Sequence, residues 1–142
     1  MTNSLTLAKA ELEKRNATLV LYDGKEWIFS LERGIKPLLL LYEQRKDLSA
    51  FVAADKVIGK AAAFLYILLG IKEIYANVIS EGTLCVFADY GISVEYEHKS
   101  RLISNRQNTD ICPMEKAVLH ITTPQEAYQA ILKKYRELCL KS

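Results

Sequence analysis

The sequence is short of the residues that announce chemistry. Among 142 residues there are two histidines, His98 and His120, and three cysteines, Cys85, Cys112 and Cys139. No C-x-x-C pair exists, so neither a zinc-knuckle spacing nor a thioredoxin-like redox pair is present. An odd, widely spaced set of cysteines points to reduced thiols and a cytoplasmic setting. No basic n-region precedes an apolar h-region, so no secretory signal is expected. The most apolar stretch, Ala61 to Ile71, is too short to span a bilayer, and no membrane partner is expected. The formal net charge is +2 with the two signs interspersed, which provides no basic stripe of the nucleic-acid-binding kind. Trp27 and the eight tyrosines show no RNA-binding pattern. Pro/Gly-rich linkers, low-complexity tracts and repeats are absent, and residues 1–142 are expected to form a single domain.

What is present reads as a soluble α/β chain. Half the residues are hydrophobic and a quarter are charged. Leu5, Ala8 and Leu12 form one stripe of a helix from Leu5 to Arg15. Thr18 to Tyr22 and Glu26 to Ser30 read as strands joined by an Asp23-Gly24 turn. Pro37 suits the first turn of a helix ending near Arg45. Strands and helices then alternate: a strand from Ser49 to Ala54, a helix from Val57 to Leu69 closed by Gly70, and a strand from Glu73 to Val78. A helix follows, N-capped by Ser80 and running to Tyr90, then a strand from Ile92 to Tyr96. A polar segment from Glu97 to Asp110 leads to a short helix opened by Cys112-Pro113-Met114-Glu115. The last helix starts at the capping sequence Thr123-Pro124-Gln125-Glu126 and runs to about Leu140. The predicted fold is a three-layer α/β/α domain with a mixed sheet, an N-terminal antiparallel hairpin joined to parallel strands, and helices on both faces.

The junction Asp55-Lys56-Val57-Ile58-Gly59-Lys60 holds most of the site expectation. In open α/β sheets ligands bind outside the carboxyl ends of strands. Helix N-termini there offer free N–H groups and partial positive charge. On the predicted boundaries Lys56 and Lys60 share one face of a first turn, where cations oppose the macrodipole. That cost invites a bound phosphate or carboxylate, with Gly59 allowing close approach. A plainer reading is equally open: Asp55 caps the helix and both lysines are solvated. The stretch is not a P-loop, because the first glycine is missing and Ala61 stands where a magnesium-binding Ser/Thr would be.

Cys112 lies at a helix start, where the dipole and free N–H groups stabilise a thiolate, and is the candidate nucleophile. Glu115, three residues on, is either a proton-handling group or part of a cap. Asn105 and Arg106 sit in the polar loop before it, and Arg106 is suited to bidentate contact with a carboxylate or phosphate. Ser80 stands at a strand's carboxyl end, near the same rim. Cys85 and Cys139 fall in apolar helical patterns and read as packing residues.

The α-β-β-α-β-α-β-α-β order resembles the cytidine deaminase fold. In zinc deaminases a strand ends in a Pro-Cys-x-x-Cys motif that opens a helix, and Gly70-Ile71-Lys72-Glu73-Ile74-Tyr75-Ala76 is similar to the glycine-led strand that follows. More specifically, Ala54-Asp55-Lys56-Val57-Ile58-Gly59-Lys60-Ala61, Ile79-Ser80-Glu81, Asn105-Arg106 and Cys112-Pro113-Met114-Glu115 together resemble the uncharacterised bacterial domain-of-unknown-function family 1893. That resemblance covers about Leu19 to Val118 and implies a deaminase-like fold. The zinc ligands of true deaminases, a His or Cys with two further Cys, are missing at Gly34 to Pro37 and at Asp55 to Lys60. No metal and no cofactor are therefore expected.

The sequence expectation is a protein that binds a small anionic, nucleotide-like metabolite and acts on it, if at all, without zinc. Cys112 would be the nucleophile, Asp55 or Glu115 the proton-handling group, and Lys56, Gly59, Lys60, Ser80, Asn105 and Arg106 the binding residues. The alternative is a non-catalytic ligand- or protein-binding module on a degenerate deaminase fold. Apolar helices such as Pro37 to Tyr42 would need covering, which leaves room for a homodimer.

Overall fold

The structure, a computed structural model, describes residues 2–103 and 111–141. In chain order the elements are α1 (Asn3–Lys14), β1 (Leu19–Tyr22), β2 (Trp27–Ser30), α2 (Lys36–Glu43), β3 (Val52–Ile58) and α3 (Lys60–Leu69). They continue with β4 (Glu73–Ser80), α4 (Glu81–Asp89), β5 (Ser93–Ser100), α5 (Pro113–Ala117) and α6 (Pro124–Lys141). The sheet runs β2-β1-β3-β4-β5. β1 is antiparallel to both neighbours, whereas β3, β4 and β5 are mutually parallel. This is the expected mixed sheet with a hairpin at one end.

Alternation along the strands divides the interior in two. Leu5, Ala8 and Leu12 of α1 meet Val20, Val52, Ala54 and Tyr75 on one face of the sheet. Leu19, Leu21, Ala53, Ile74 and Ala76 point the other way, into a larger core shared with α2 to α6. Each fully buried aliphatic or aromatic side chain there contributes about 2 kcal/mol relative to exposure. α3 is apolar nearly all round, and every residue from Ala61 to Tyr66 is buried. A helix with no polar stripe must be enclosed.

Local chemistry sets the ends. Asp23 Oδ1 accepts from the backbone N–H groups of Lys25 and Glu26 at 2.9 and 2.6 Å, and so shapes the β1–β2 turn. Gly70 ends α3 at φ +82°, and Ile71 N–H returns to the Tyr66 carbonyl at 3.2 Å. This is the left-handed closure that glycine permits.

Several boundaries differ from the sequence reading. β3 begins at Val52 instead of Ser49 and runs to Ile58, and α3 starts at Lys60, not Val57. Asp55 and Lys56 look like a helix cap in the sequence, but the ladder to β4 continues through Val57–Val78 and Ile58–Ile79. β4 likewise extends to Ser80. β5 extends through the polar residues Glu97, His98 and Lys99 to Ser100. An edge strand exposed on both faces tolerates such residues, so the hydrophobic pattern stops before the strand does. Cys85 and Cys139, expected to pack inside, are exposed. None of the described helices is long and apolar enough to cross a membrane.

Candidate functional site

The carboxyl ends of β3 and β4 lie side by side through the Ile58–Ile79 pair. Immediately beyond them start α3, with Gly59 as its N-cap, and α4, with Ser80 as its N-cap. The strand-to-helix junctions expected from the sequence are therefore present, but the residues around them are arranged differently.

The N-terminus of α3 is occupied by the chain's own carboxylate. Glu115 Oε1 accepts from Lys60 N–H at 2.6 Å and Oε2 from Ala61 N–H at 2.9 Å. A helix N-terminus favours negative charge, and here that charge comes from α5. A Cβ on residue 59 would stand 2.4 Å from Glu115 Oε1 and 2.7 Å from Oε2. The close approach expected at Gly59 is thus made by this carboxylate. Glu115 is 8 % exposed. Burial pushes its carboxyl above the ordinary range, and the N–H groups of Ala61 and Lys60 pull partly back.

Asp55 is not an N-cap. It lies inside β3, paired with Leu19 and Ala76. The residue is half-buried, with its carboxyl turned towards α3, where Tyr66 Oη donates to Oδ2 at 2.6 Å. Val57 N–H donates to Oδ1 at 3.3 Å. Burial pushes the Asp55 carboxyl up to about 7, with the Tyr66 hydrogen bond opposing the rise. Tyr66 is itself fully buried, and its hydroxyl is held well above its ordinary value, first by burial and then by Asp55.

Lys56 and Lys60 do not share a helix face. Lys56 belongs to β3 and donates to Asn16 Oδ1 at 2.7 Å, just past the end of α1. It lines an open groove of about 270 Å³ with Glu13, Asn16, Tyr75 and Asn77, on the α1 side of the sheet. A cation there complements the negative end of the α1 dipole. Lys60 is on the opposite side. Its ammonium donates to the Leu119 carbonyl at 3.2 Å and lies 5.8 Å from the Phe64 ring centroid.

Lys60 also lines a second hollow of about 280 Å³, together with Gly82, Val86, Asp89, Tyr90 and Thr122. Gly82, Val86 and Asp89 follow one face of α4, so the rise from residue 82 to residue 89 sets a length of roughly 10 Å. A Cβ on Gly82 would meet nothing within 4 Å. The missing side chain leaves open space at the start of α4.

Ser80 is 5 % exposed and pairs through its hydroxyl with the Thr83 hydroxyl at 2.6 Å. Thr83 Oγ1 also reaches the Ile58 carbonyl at 3.5 Å. The Ser80 side chain makes no cap to the α4 backbone, contrary to the capping role expected of it. Cys112 is the half-buried N-cap of α5, packed at the margin of the larger core. Asn105 and Arg106 lie outside the described residues.

The structure thus brings Gly59, Lys60, Glu115 and Ser80 together and places Cys112 at the head of the same α5. It sets Asp55 back under α3 and sends Lys56 to the other face. The sequence reading missed Tyr66, Thr83 and Asn16. A tyrosine in an otherwise apolar helix and an aspartate inside a strand were the signals for the Asp55–Tyr66 pair, because each needs a partner once buried.

A zinc centre of the deaminase kind needs thiol or imidazole donors at adjacent helix N-termini. The start of α3 presents Gly59, Lys60 and Ala61, and that of α2 presents Ile35, Lys36 and Pro37. These residues do not fit the metal. Among the described residues no group of three or more His, Cys, Asp or Glu could hold an ion.

Comparison with known proteins agrees with this architecture. A solved structure of a DUF1893 family protein (TM1506) from Thermotoga maritima is 31% identical, with a TM-score of 0.88. The similarity covers 94% of this chain and 91% of that one. No curated protein matches. The family described as TM1506, domain of unknown function (DUF1893), matches residues 7–135, and the chain belongs to that family.

Proposed function

We propose that this protein binds a small anionic, nucleotide-like metabolite in the hollow between Lys60 and α4, without zinc, on a fold of the cytidine deaminase kind. The carrying observation is the Lys60 ammonium at a hollow of about 280 Å³ that Gly82 leaves open. Lys60 supplies the charge for a phosphate or carboxylate, while Val86 and Tyr90 offer an apolar wall for a ring. Glu115 already holds the α3 N-terminus, so the ligand's anion is assigned to the Lys60 side chain, not to that helix end. The element order and the sheet order β2-β1-β3-β4-β5, with β1 alone reversed, support the deaminase-like reading. Asn105 and Arg106 are retained as candidate anion contacts.

The test is thermal unfolding with inorganic phosphate and with nucleoside monophosphates at constant ionic strength. A ligand that binds only the folded state raises Tm saturably. Lys60→Ala should weaken the effect about tenfold, the scale of one charge-assisted contact. No shift in the unmodified protein, or equal shifts in Lys60→Ala, would refute the reading.

A catalytic extension has its own observation. Glu115 is buried, has its carboxyl pushed up, and follows Cys112 by three residues on α5. In that version the Cys112 thiol adds to an electrophilic carbon of the bound metabolite, Glu115 takes the thiol proton and Lys60 holds the anion, whereas Asp55, under α3, and Lys56, on the other face, stand outside the site. The non-catalytic alternative, a ligand- or protein-binding module, is favoured by the commitment of both acids to internal hydrogen bonds. Cys112→Ala separates them: it leaves ligand affinity intact in either case but abolishes turnover only in the first.

A further inference from the structure

The segment from Cys112 to Leu119 is tied to α3 at two points, and both ties end on Lys60. The Lys60 backbone N–H, with that of Ala61, holds the Glu115 carboxylate. The Lys60 side chain holds the Leu119 carbonyl just beyond α5. Met114, just before the first tie, and Val118, just before the second, enter the larger core, and Cys112 is half-buried at the head. A helix of five residues does not sustain itself, because nucleation outweighs its few internal hydrogen bonds. Its shape depends on docking.

We propose that Glu115 is a latch: its carboxylate on the α3 N-terminus holds residues 112–119 closed, and local release of this segment, without global unfolding, exposes the Cys112 thiol. This goes beyond ligand binding at Lys60, because the Glu115 tie is made to backbone N–H groups and not to the Lys60 ammonium. Elements that anchor few apolar side chains open at lower free energy than the core. α5 contributes Met114 as its buried apolar residue, followed by Val118 at its C-cap, whereas α3 is buried over most of its length. Two substitutions attack the latch from opposite sides. Glu115→Gln replaces one acceptor oxygen by an NH₂ group and sets donor against donor at Lys60 or Ala61. Gly59→Ala places a methyl where the carboxylate sits.

The test is alkylation of the native protein with iodoacetamide, resolved by site with peptide mass spectrometry. Cys85 and Cys139 are exposed and serve as internal references. In the unmodified protein Cys112 should react more slowly than Cys85. Each substitution should accelerate Cys112 by about tenfold or more, the scale of losing charge-assisted hydrogen bonds, with Cys85 and Cys139 unchanged. An unchanged Cys112 rate in folded variants overturns the latch, and so does a parallel rise at all three cysteines, which would mean global opening. Hydrogen exchange on the unmodified chain covers the case in which a variant does not fold. The Lys60 and Ala61 amides should exchange together with those of residues 116–119, ahead of the α3 interior. Exchange of both sets only through global unfolding overturns the proposal.

Discussion

Tyr66 donates its hydroxyl to the Asp55 carboxyl across 2.6 Å, joining the middle of β3 to the middle of α3 beneath the sheet. A buried acid there is expensive unless it takes up a proton. Asp55 does so, with its carboxyl pushed up to about 7.

The stability consequence has a definite sign. The unfolded chain loses the Asp55 proton near pH 4, whereas the folded chain keeps it to about 7. Between these values the folded state binds more protons, so stability falls as pH rises and levels off above the folded pKa. The fall attributable to Asp55 is roughly 2–4 kcal/mol. Glu115, also pushed up, adds in the same direction. Asp55→Asn should remove most of the slope in denaturant unfolding between about pH 4.5 and about pH 7.5. Tyr66→Phe removes the donor that opposes the rise and should move the midpoint of the slope to higher pH. A wild-type profile that rises over this range would contradict the pair.

Gly59 and Glu115 should be strongly non-additive. Gly59→Ala forces the carboxylate out and should destabilise by about 1–3 kcal/mol, the range for overpacking a close contact. Glu115→Ala removes the cap and should destabilise by a similar amount. The double variant should fall well short of the sum, because the three atoms that a Cβ at residue 59 meets first all belong to the Glu115 carboxyl group. Urea midpoints of the four proteins give the coupling energy, and additivity within about 0.5 kcal/mol would deny the contact.

The two lysines should separate by function. Lys56→Met loses the contact to Asn16 and should cost under about 1 kcal/mol of stability, with phosphate response unchanged. Lys60→Met should blunt the phosphate response. Parallel calorimetric titrations with inorganic phosphate decide this, and equal effects in the two variants would defeat the assignment of the anion to Lys60.

The buried hydroxyl pair Ser80–Thr83 should behave as a unit. Thr83→Val strands the Ser80 hydroxyl at the carboxyl end of β4 and should cost about 1–3 kcal/mol. Adding Ser80→Ala should recover part of that loss, since removing both partners is milder than removing one. A double variant worse than the sum of the singles would count against it.

Several features were legible in the residues alone. Hydrophobic period and punctuation by Asp23-Gly24, Pro37, Gly70 and Pro124 determine the eleven elements of the described residues and their order, because turns and caps depend on neighbours along the chain. The alternation of strand and helix after Ser49 determines the parallel half of the sheet. The strand-to-helix junction at Gly59-Lys60 and the proline-led helix start that carries Glu115 were also legible.

Only the tertiary structure decided what those residues touch. Where β3 ends depends on pairing with β4, and Asp55 and Lys56 read as a cap until that ladder is seen. Whether Lys56 and Lys60 meet depends on the same boundary, because inside a strand the pleat turns Asp55 and Lys56 to opposite faces. Residue 115 reaches the N–H groups of residues 60 and 61 because the chain returns to the carboxyl end of the central strand β3, a contact that no local pattern encodes. Short-range propensity is a property of neighbouring residues, but the partner of a buried carboxyl is set by packing between distant elements.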